Sequence, residues 1–160
     1  MKILISLLLT GVVILTLHCT KSVGKNPALA YTDAALLDSA KAGGQHYYKN
    51  DPMKLLSGAN GPHGPFKLRF NAIAFKALQD SGSLPVKKLM PDGSLVVKDV
   101  YDNGQVSLYA IMYKLSGSWL WAEIKPSGEV HYSVNKDPGV CINCHSQAGN
   151  RDLLRTFSYY

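Results

Sequence analysis

Apolar and polar positions set several rhythms along this chain. Residues 3–17 are apolar almost without interruption, with Lys2 just ahead of them. From Thr32 the rhythm becomes helical. Thr32 is a candidate N-cap, Asp33 suits the positive helix end, and Ala34, Leu37, Ala40 and Lys41 carry the helix to Gly43-Gly44. Residues 57–65 are a loop by composition, rich in Gly, Pro and Asn. Phe66-Lys67-Leu68-Arg69-Phe70 alternates apolar and basic side chains, the pattern of a short strand. Asn71 can cap a second helix whose apolar face is Ile73, Ala74, Ala77 and Leu78, with Gly82 at its C-terminal cap.

After the turn Pro91-Asp92-Gly93, four strand candidates follow in succession: residues 94–101, 106–114, 119–125 and 129–134. Their separators, Asp102-Asn103-Gly104, Ser116-Gly117-Ser118 and Pro126-Ser127-Gly128, are short Gly-containing hairpin connections. Strands joined this tightly pair antiparallel, so the expected fold class is α+β, built on an antiparallel sheet.

The first apolar run is about 15 residues, shorter than the ~20 a bilayer span needs. A basic start followed by such a run is an export signal. Two cleavage points compete. Leu15-Thr16-Leu17-His18-Cys19 resembles a bacterial lipoprotein signal, in which Cys19 would carry the lipid, although His18 stands where a small residue is usual. The alternative is cleavage after Ala30 in Ala28-Leu29-Ala30. Either one places the mature protein outside the cytoplasm, in the periplasm or cell envelope. The chain then divides into an export signal (1–18), a tether (19–31) and one folded domain (32–160).

Composition narrows this further. With 160 residues and 46% apolar content, the chain suits a single domain with its own core. The net charge of +6 comes from 17 scattered Lys and Arg residues that form no run, which argues against a nucleic-acid partner. Three cysteines are too few for a disulfide scaffold.

Two of those cysteines lie in Cys141-Ile142-Asn143-Cys144-His145, which reads C-x-x-C-H, the attachment signature of c-type haem. Two thiols separated by two residues on a turn can each add to a vinyl group on one porphyrin edge. The adjoining histidine then falls beneath the iron as axial ligand. Cys141 and Cys144 are therefore the candidate haem attachments and His145 the candidate metal ligand.

Three other readings are open for these residues. A redox pair usually opens a βαβ unit, for which the 15 residues after His145 are too few. Structural zinc needs four ligands, and the mature domain keeps only two cysteines. A plain disulfide suits an oxidising compartment.

No methionine follows His145. Met53, Met90 and Met112 all precede it, and Met112 sits among strand residues as core. The expectation is five-coordinate iron with an open face for a small ligand, the alternative being a six-coordinate electron carrier. Successive hairpin strands argue against a four-helix haem bundle. His46, His63 and His131 are the remaining candidates for a distal group. His63 and His131 are expected to face solvent.

An ordered series of features around the haem motif resembles the cytochrome P-460 family, which includes the cytochromes c-prime-beta. It spans about residues 65–159. Asp92-Gly93-Ser94-Leu95-Val96-Val97-Lys98-Asp99 is similar to that family's D-G-x-x-x-x-K-E stretch. Gly117-Ser118-Trp119-Leu120-Trp121 is similar to its aromatic strand, and Asp152-Leu153-Leu154-Arg155-Thr156-Phe157 to its ending.

The resemblance implies a homodimer of curved antiparallel sheets with a few helices and one pentacoordinate haem c per chain. Some members oxidise hydroxylamine and cross-link the haem to a lysine. Others bind nitric oxide in an apolar pocket. Residues 77–82, where the cross-linking lysine is expected, contain no lysine, and Lys76, Lys87 and Lys88 read as surface residues. The nitric-oxide reading therefore leads, with Phe66, Phe70 and Phe75 as distal-pocket candidates and Arg155 as a proximal-shell candidate. An apolar pocket favours neutral diatomic ligands, because a charged one would lose its hydration without a partner. An oxidoreductase acting on hydroxylamine or nitric oxide, and an electron carrier served by a redox partner protein, are the competing functions.

Overall fold

The computed structural model describes residues 31–57, 61–78 and 83–154. The expected export signal, Cys19, most of the expected tether, the expected Gly82 cap and Arg155 lie outside the described residues.

Helix α1 (Asp33–Lys41) starts where Thr32 Oγ1 accepts a hydrogen bond from the Ala35 N–H at 3.2 Å. Its buried face is Leu36, Leu37 and Ala40. Ala34 and Lys41 continue the helix on its exposed side. Helix α2 (Ala72–Ala77) is capped by Asn71, whose Oδ1 accepts from Ala74 N at 3.0 Å and from Leu95 N at 3.1 Å. The same side chain thus fixes the helix start and the first residue of the following strand. Ala74 and Leu78 are buried, whereas Ile73 is 45% exposed and does not join the core.

Six strands form one open sheet in sequence order, every pair antiparallel. They are β1 (His46–Tyr47), β2 (Phe66–Phe70), β3 (Leu95–Asp102), β4 (Gln105–Leu115), β5 (Ser118–Ile124) and β6 (Val130–Tyr132). A single 3-10 turn, Tyr48–Asn50, follows β1. The architecture is α+β. The β3–β4 and β4–β5 connections are two-residue turns, Asn103-Gly104 and Ser116-Gly117, with positive φ at both positions. That is the primed turn geometry whose twist matches paired strands. Two differences from the sequence pattern stand out. Strand β1 carries no local signal of its own, because it pairs only with the far end of β2. Strand β6 has three residues rather than six.

Both faces of the sheet are buried, which is why β3 reads as a nearly continuous apolar run. On one face α1 packs Leu36, Leu37 and Ala40 against Leu95, Val97, Leu120, Ala122 and Ile124. Arg69 and Asp99 are buried on this side in a two-pronged pair: Arg69 Nε and Nη2 each donate to an Asp99 carboxylate oxygen at 2.6 Å. The opposite face carries Phe66, Leu68, Phe70, Val96, Met112, Trp119 and Trp121, packed against Ala74, Leu78, Leu84, Met90 and Leu154. Helix α3 (Gly139–His145) lies against this second face through Cys141 and Ile142. Among the described residues, no helix is long and apolar enough to cross a membrane.

Candidate cofactor site

The C-x-x-C-H motif lies within helix α3 rather than on a simple turn. Asp137 Oδ1 accepts from Gly139 N at 3.0 Å, which ties down the helix start. Residues at i, i+3 and i+4 share one face of a helix. Cys141, Cys144 and His145 hold that spacing, and all three line a cavity of about 280 Å³ between α3 and the sheet.

Strand register explains why the cavity is there. Val96, Met112 and Trp121 are successive cross-strand partners and form one rank of its floor. Lys98, Ala110, Glu123 and Tyr132 form the next rank. Ala110 is the small residue of that rank, so space opens between Lys98 and Glu123. Phe66 closes the β2 side, with Lys98 Nζ 4.7 Å from its ring centroid. The loop residues Gly61, Pro62 and His63 form the rim.

His145 is 9% exposed. Its Nδ1 lies 2.6 Å from the Leu153 carbonyl oxygen. A carbonyl only accepts, so Nδ1 carries the proton and the neutral ring's lone pair is on Nε2. A hydrogen bond of this kind orients a metal-binding imidazole and raises its basicity. The Trp121 ring meets the imidazole edge-on, with centroids 4.7 Å apart and planes at 78°.

The other expected site residues divide. Phe66 borders the cavity, but Phe70 and Phe75 do not. Phe70 sits at the opposite end of β2, paired with His46 and Val96, and Phe75 stacks on the His46 ring at 4.2 Å. The alternation of β2 gives both Phe66 and Phe70 the same face, but the cavity reaches only one end of it.

His63 is a second correction: it does not face solvent but lines the cavity, with Nε2 2.8 Å from Glu123 Oε1. His131 is exposed, as expected. Lys76, Lys87 and Lys88 are exposed, and none lines the cavity. Met53 is exposed, and Met90 is buried away from the cavity. Met112 is core, as expected, and also borders the cavity.

Sequence reasoning passed over Lys98 and Glu123. Each breaks an apolar alternation on a buried face, Val96-Lys98-Val100 and Trp119-Trp121-Glu123, and that interruption was the available signal. The His63 hydrogen bond holds the Glu123 carboxyl below its usual range, against the opposing effect of burial.

No disulfide joins Cys141 and Cys144. Burial, with the nearby Glu123 charge second, pushes the Cys141 thiol up to about 11. Redox-active C-x-x-C pairs use depressed thiols, so this environment opposes thiol–disulfide chemistry. Among the described residues no three His, Cys, Asp or Glu side chains converge to hold a bare metal ion. Haem c asks for something else: two thiols on one helix face, one oriented imidazole and an apolar cleft. The residues present fit that group.

Compared with known proteins, the sequence matches no family model and no curated protein.

Proposed function

We propose that this chain is an exported c-type haem protein that binds a small neutral ligand such as nitric oxide at a five-coordinate iron. The supporting observation is the shared placement of Cys141, Cys144 and His145 on one face of α3, toward a largely apolar cavity, with His145 Nδ1 held by the Leu153 carbonyl. In this reading Cys141 and Cys144 hold the haem by thioethers and His145 Nε2 is the proximal ligand. The haem supplies an iron that takes a diatomic ligand on its open side. Phe66, Val96, Met112 and Trp121 line the apolar part of the cavity, where a neutral ligand would lose little on leaving bulk solvent. The resemblance to the cytochrome P-460 family, the homodimer it implies and a lipid on Cys19 belong to the same proposal.

One observation favours a second reading. Glu123 and His63, hydrogen-bonded at 2.8 Å in the cavity wall, can accept and pass a proton. A nitrogen-oxide oxidoreductase acting on hydroxylamine or nitric oxide would need such a pair, whereas simple gas binding would not.

The deciding experiment uses the full chain produced with a haem-attachment system. Haem that stays with the protein after acid–acetone extraction, and a ferrous spectrum that shifts on adding nitric oxide or carbon monoxide, are the expected results. Sharp low-spin bands that ignore both gases would favour the electron carrier. Absence of haem with both cysteines intact would overturn the proposal. Nitrite or nitrous oxide formed from hydroxylamine with an added chemical electron acceptor in wild type, and lost in Glu123→Gln, would move the balance to the oxidoreductase. Unchanged membrane partition in Cys19→Ser would count against the lipid anchor.

A further inference from the structure

The turn that presents the Leu153 carbonyl to His145 is itself strained and held from outside. Leu154 N donates to Arg151 O at 2.9 Å, closing a four-residue turn. Its two central residues, Asp152 and Leu153, have φ of 48° and 64°. Left-handed backbone at both central positions ordinarily calls for Asn-Gly, because a β-carbon there meets the carbonyl oxygen. Leucine in that region is an outlier that persists only where its surroundings over-determine it.

The surroundings are specific. Lys114 Nζ donates to both carboxylate oxygens of Asp152, at 2.8 and 3.1 Å. The pair is almost wholly buried, with side chains 4% and 7% exposed. Asp152 Oδ2 also accepts from Met90 N at 2.8 Å, and the Asp152 carbonyl accepts from Trp119 Nε1 at 2.8 Å. Asp152 is thus fixed through its side chain and its backbone, one residue before the carbonyl that receives the His145 proton.

A buried ion pair is weak as a source of stability, because desolvation offsets most of the attraction. Its value here is placement. We propose that Lys114 is a positioning residue for His145, acting through Asp152 and the Leu153 carbonyl to fix the tautomer and tilt of the imidazole. The inference rests on the haem-ligand reading of His145 for its functional consequence, but not for its geometry.

The chain of contacts has a direction. Lys114 holds the Asp152 carboxylate, and the carboxylate and Trp119 together hold the left-handed peptide. That peptide aims the Leu153 oxygen, and the oxygen takes the Nδ1 proton. With the turn relaxed, the Nδ1–H···O hydrogen bond to Leu153 would lengthen, the imidazole would become less basic, and its hold on a haem iron would weaken.

Two measurements test this on the full chain, with Lys114→Met and, because a lone buried Asp152 charge could unfold the single variant, Lys114→Met/Asp152→Ala. The first is ¹⁵N NMR of the His145 ring in the haem-free full chain, where no metal bond fixes the tautomer. Wild type should show protonated Nδ1, and the variants should show a mixed or exchanged tautomer. The second is resonance Raman of the ferrous haem protein together with its midpoint potential. The variants should show a lower iron–histidine stretching frequency and a higher potential.

Lys125→Met, which removes an exposed ion pair with Glu129, is the control and should change neither reading. Leu153→Gly, which accepts the left-handed backbone without strain, should restore the protonated Nδ1 when added to the double variant. A wild-type tautomer in the folded double variant would overturn the proposal. If the chain takes up no haem, the ligand reading falls, while the ring NMR still decides whether Lys114 positions His145.

Discussion

His63 and Glu123, sixty positions apart in the chain, meet at 2.8 Å in the wall of the cavity that the haem motif lines. The loop carrying His63 is thereby fastened to strand β5, and the rim of the cavity is fixed by one titratable contact. The Glu123 carboxyl is held below its usual range chiefly by this hydrogen bond. A group depressed in the folded state contributes its stabilisation in full above its unfolded value, about 4.3, and loses it as pH falls through the native value. Stability measured from about pH 6 to about pH 3 should therefore fall more steeply for wild type than for Glu123→Gln. Parallel profiles would remove the contact from any account of acid stability.

Cys141 should be a slow nucleophile in the folded chain. With its thiol at about 11, the thiolate fraction at pH 7 is about 10⁻⁴. Alkylation of Cys141 by iodoacetamide, in the folded chain with Cys19 and Cys144 replaced by serine, should be slow at neutral pH and should rise with pH toward that value. The same chain in denaturant should react at the rate of an ordinary cysteine. Fast alkylation in the folded state at pH 7 would contradict the buried environment of the thiol.

Arg69 should be costly to remove. Its guanidinium is buried on Asp99, and Nη2 also reaches the Ala40 carbonyl at 2.8 Å. Replacing it with Met strands a buried carboxylate, at a cost of about 3–5 kcal/mol. Urea denaturation of Arg69→Met should show that loss, and Arg69→Met/Asp99→Leu should recover much of it. A single variant within about 1 kcal/mol of wild type would mean water reaches the pair.

Gly93→Ala should destabilise for two separable reasons. The residue has φ of 85°, and a β-carbon there would lie 3.0 Å from Ile73 Cδ1. Left-handed backbone costs an alanine about 1–2 kcal/mol. The Ile73 contact adds little, because that side chain is partly exposed and can turn away. Adding Ile73→Ala should therefore leave most of the loss in place, as read by thermal denaturation.

What could be read from the sequence was local. Thr32 and Asn71 announce their helices because each cap bonds a backbone N–H three residues on. Asn103-Gly104 and Ser116-Gly117 announce their hairpins because both positions of each turn need left-handed backbone. C-x-x-C-H announces a shared helix face because Cys141, Cys144 and His145 stand at i, i+3 and i+4. What escaped depended on distance along the chain. His63 reads as a loop residue until Glu123 is brought to it. Phe70 and Phe66 read alike until the register places one against His46 and the other at the cavity. Lys114 reads as one more strand lysine until Asp152 arrives. Alternation assigns a face, but only pairing says which part of that face borders empty space.

The order of the strands in space is their order in the chain, and α3 follows all six. Each strand therefore pairs with a segment already made, and contacts of low sequence separation assemble fast. The floor of the cavity, from Phe66 to Tyr132, can be complete before Cys141 and Cys144 emerge behind it. Under the haem proposal, timing then becomes part of the design. The haem would have to reach two cysteines on the last helix to dock, while the helix is still free to receive it, and docking of α3 would close the site around a cofactor already in place.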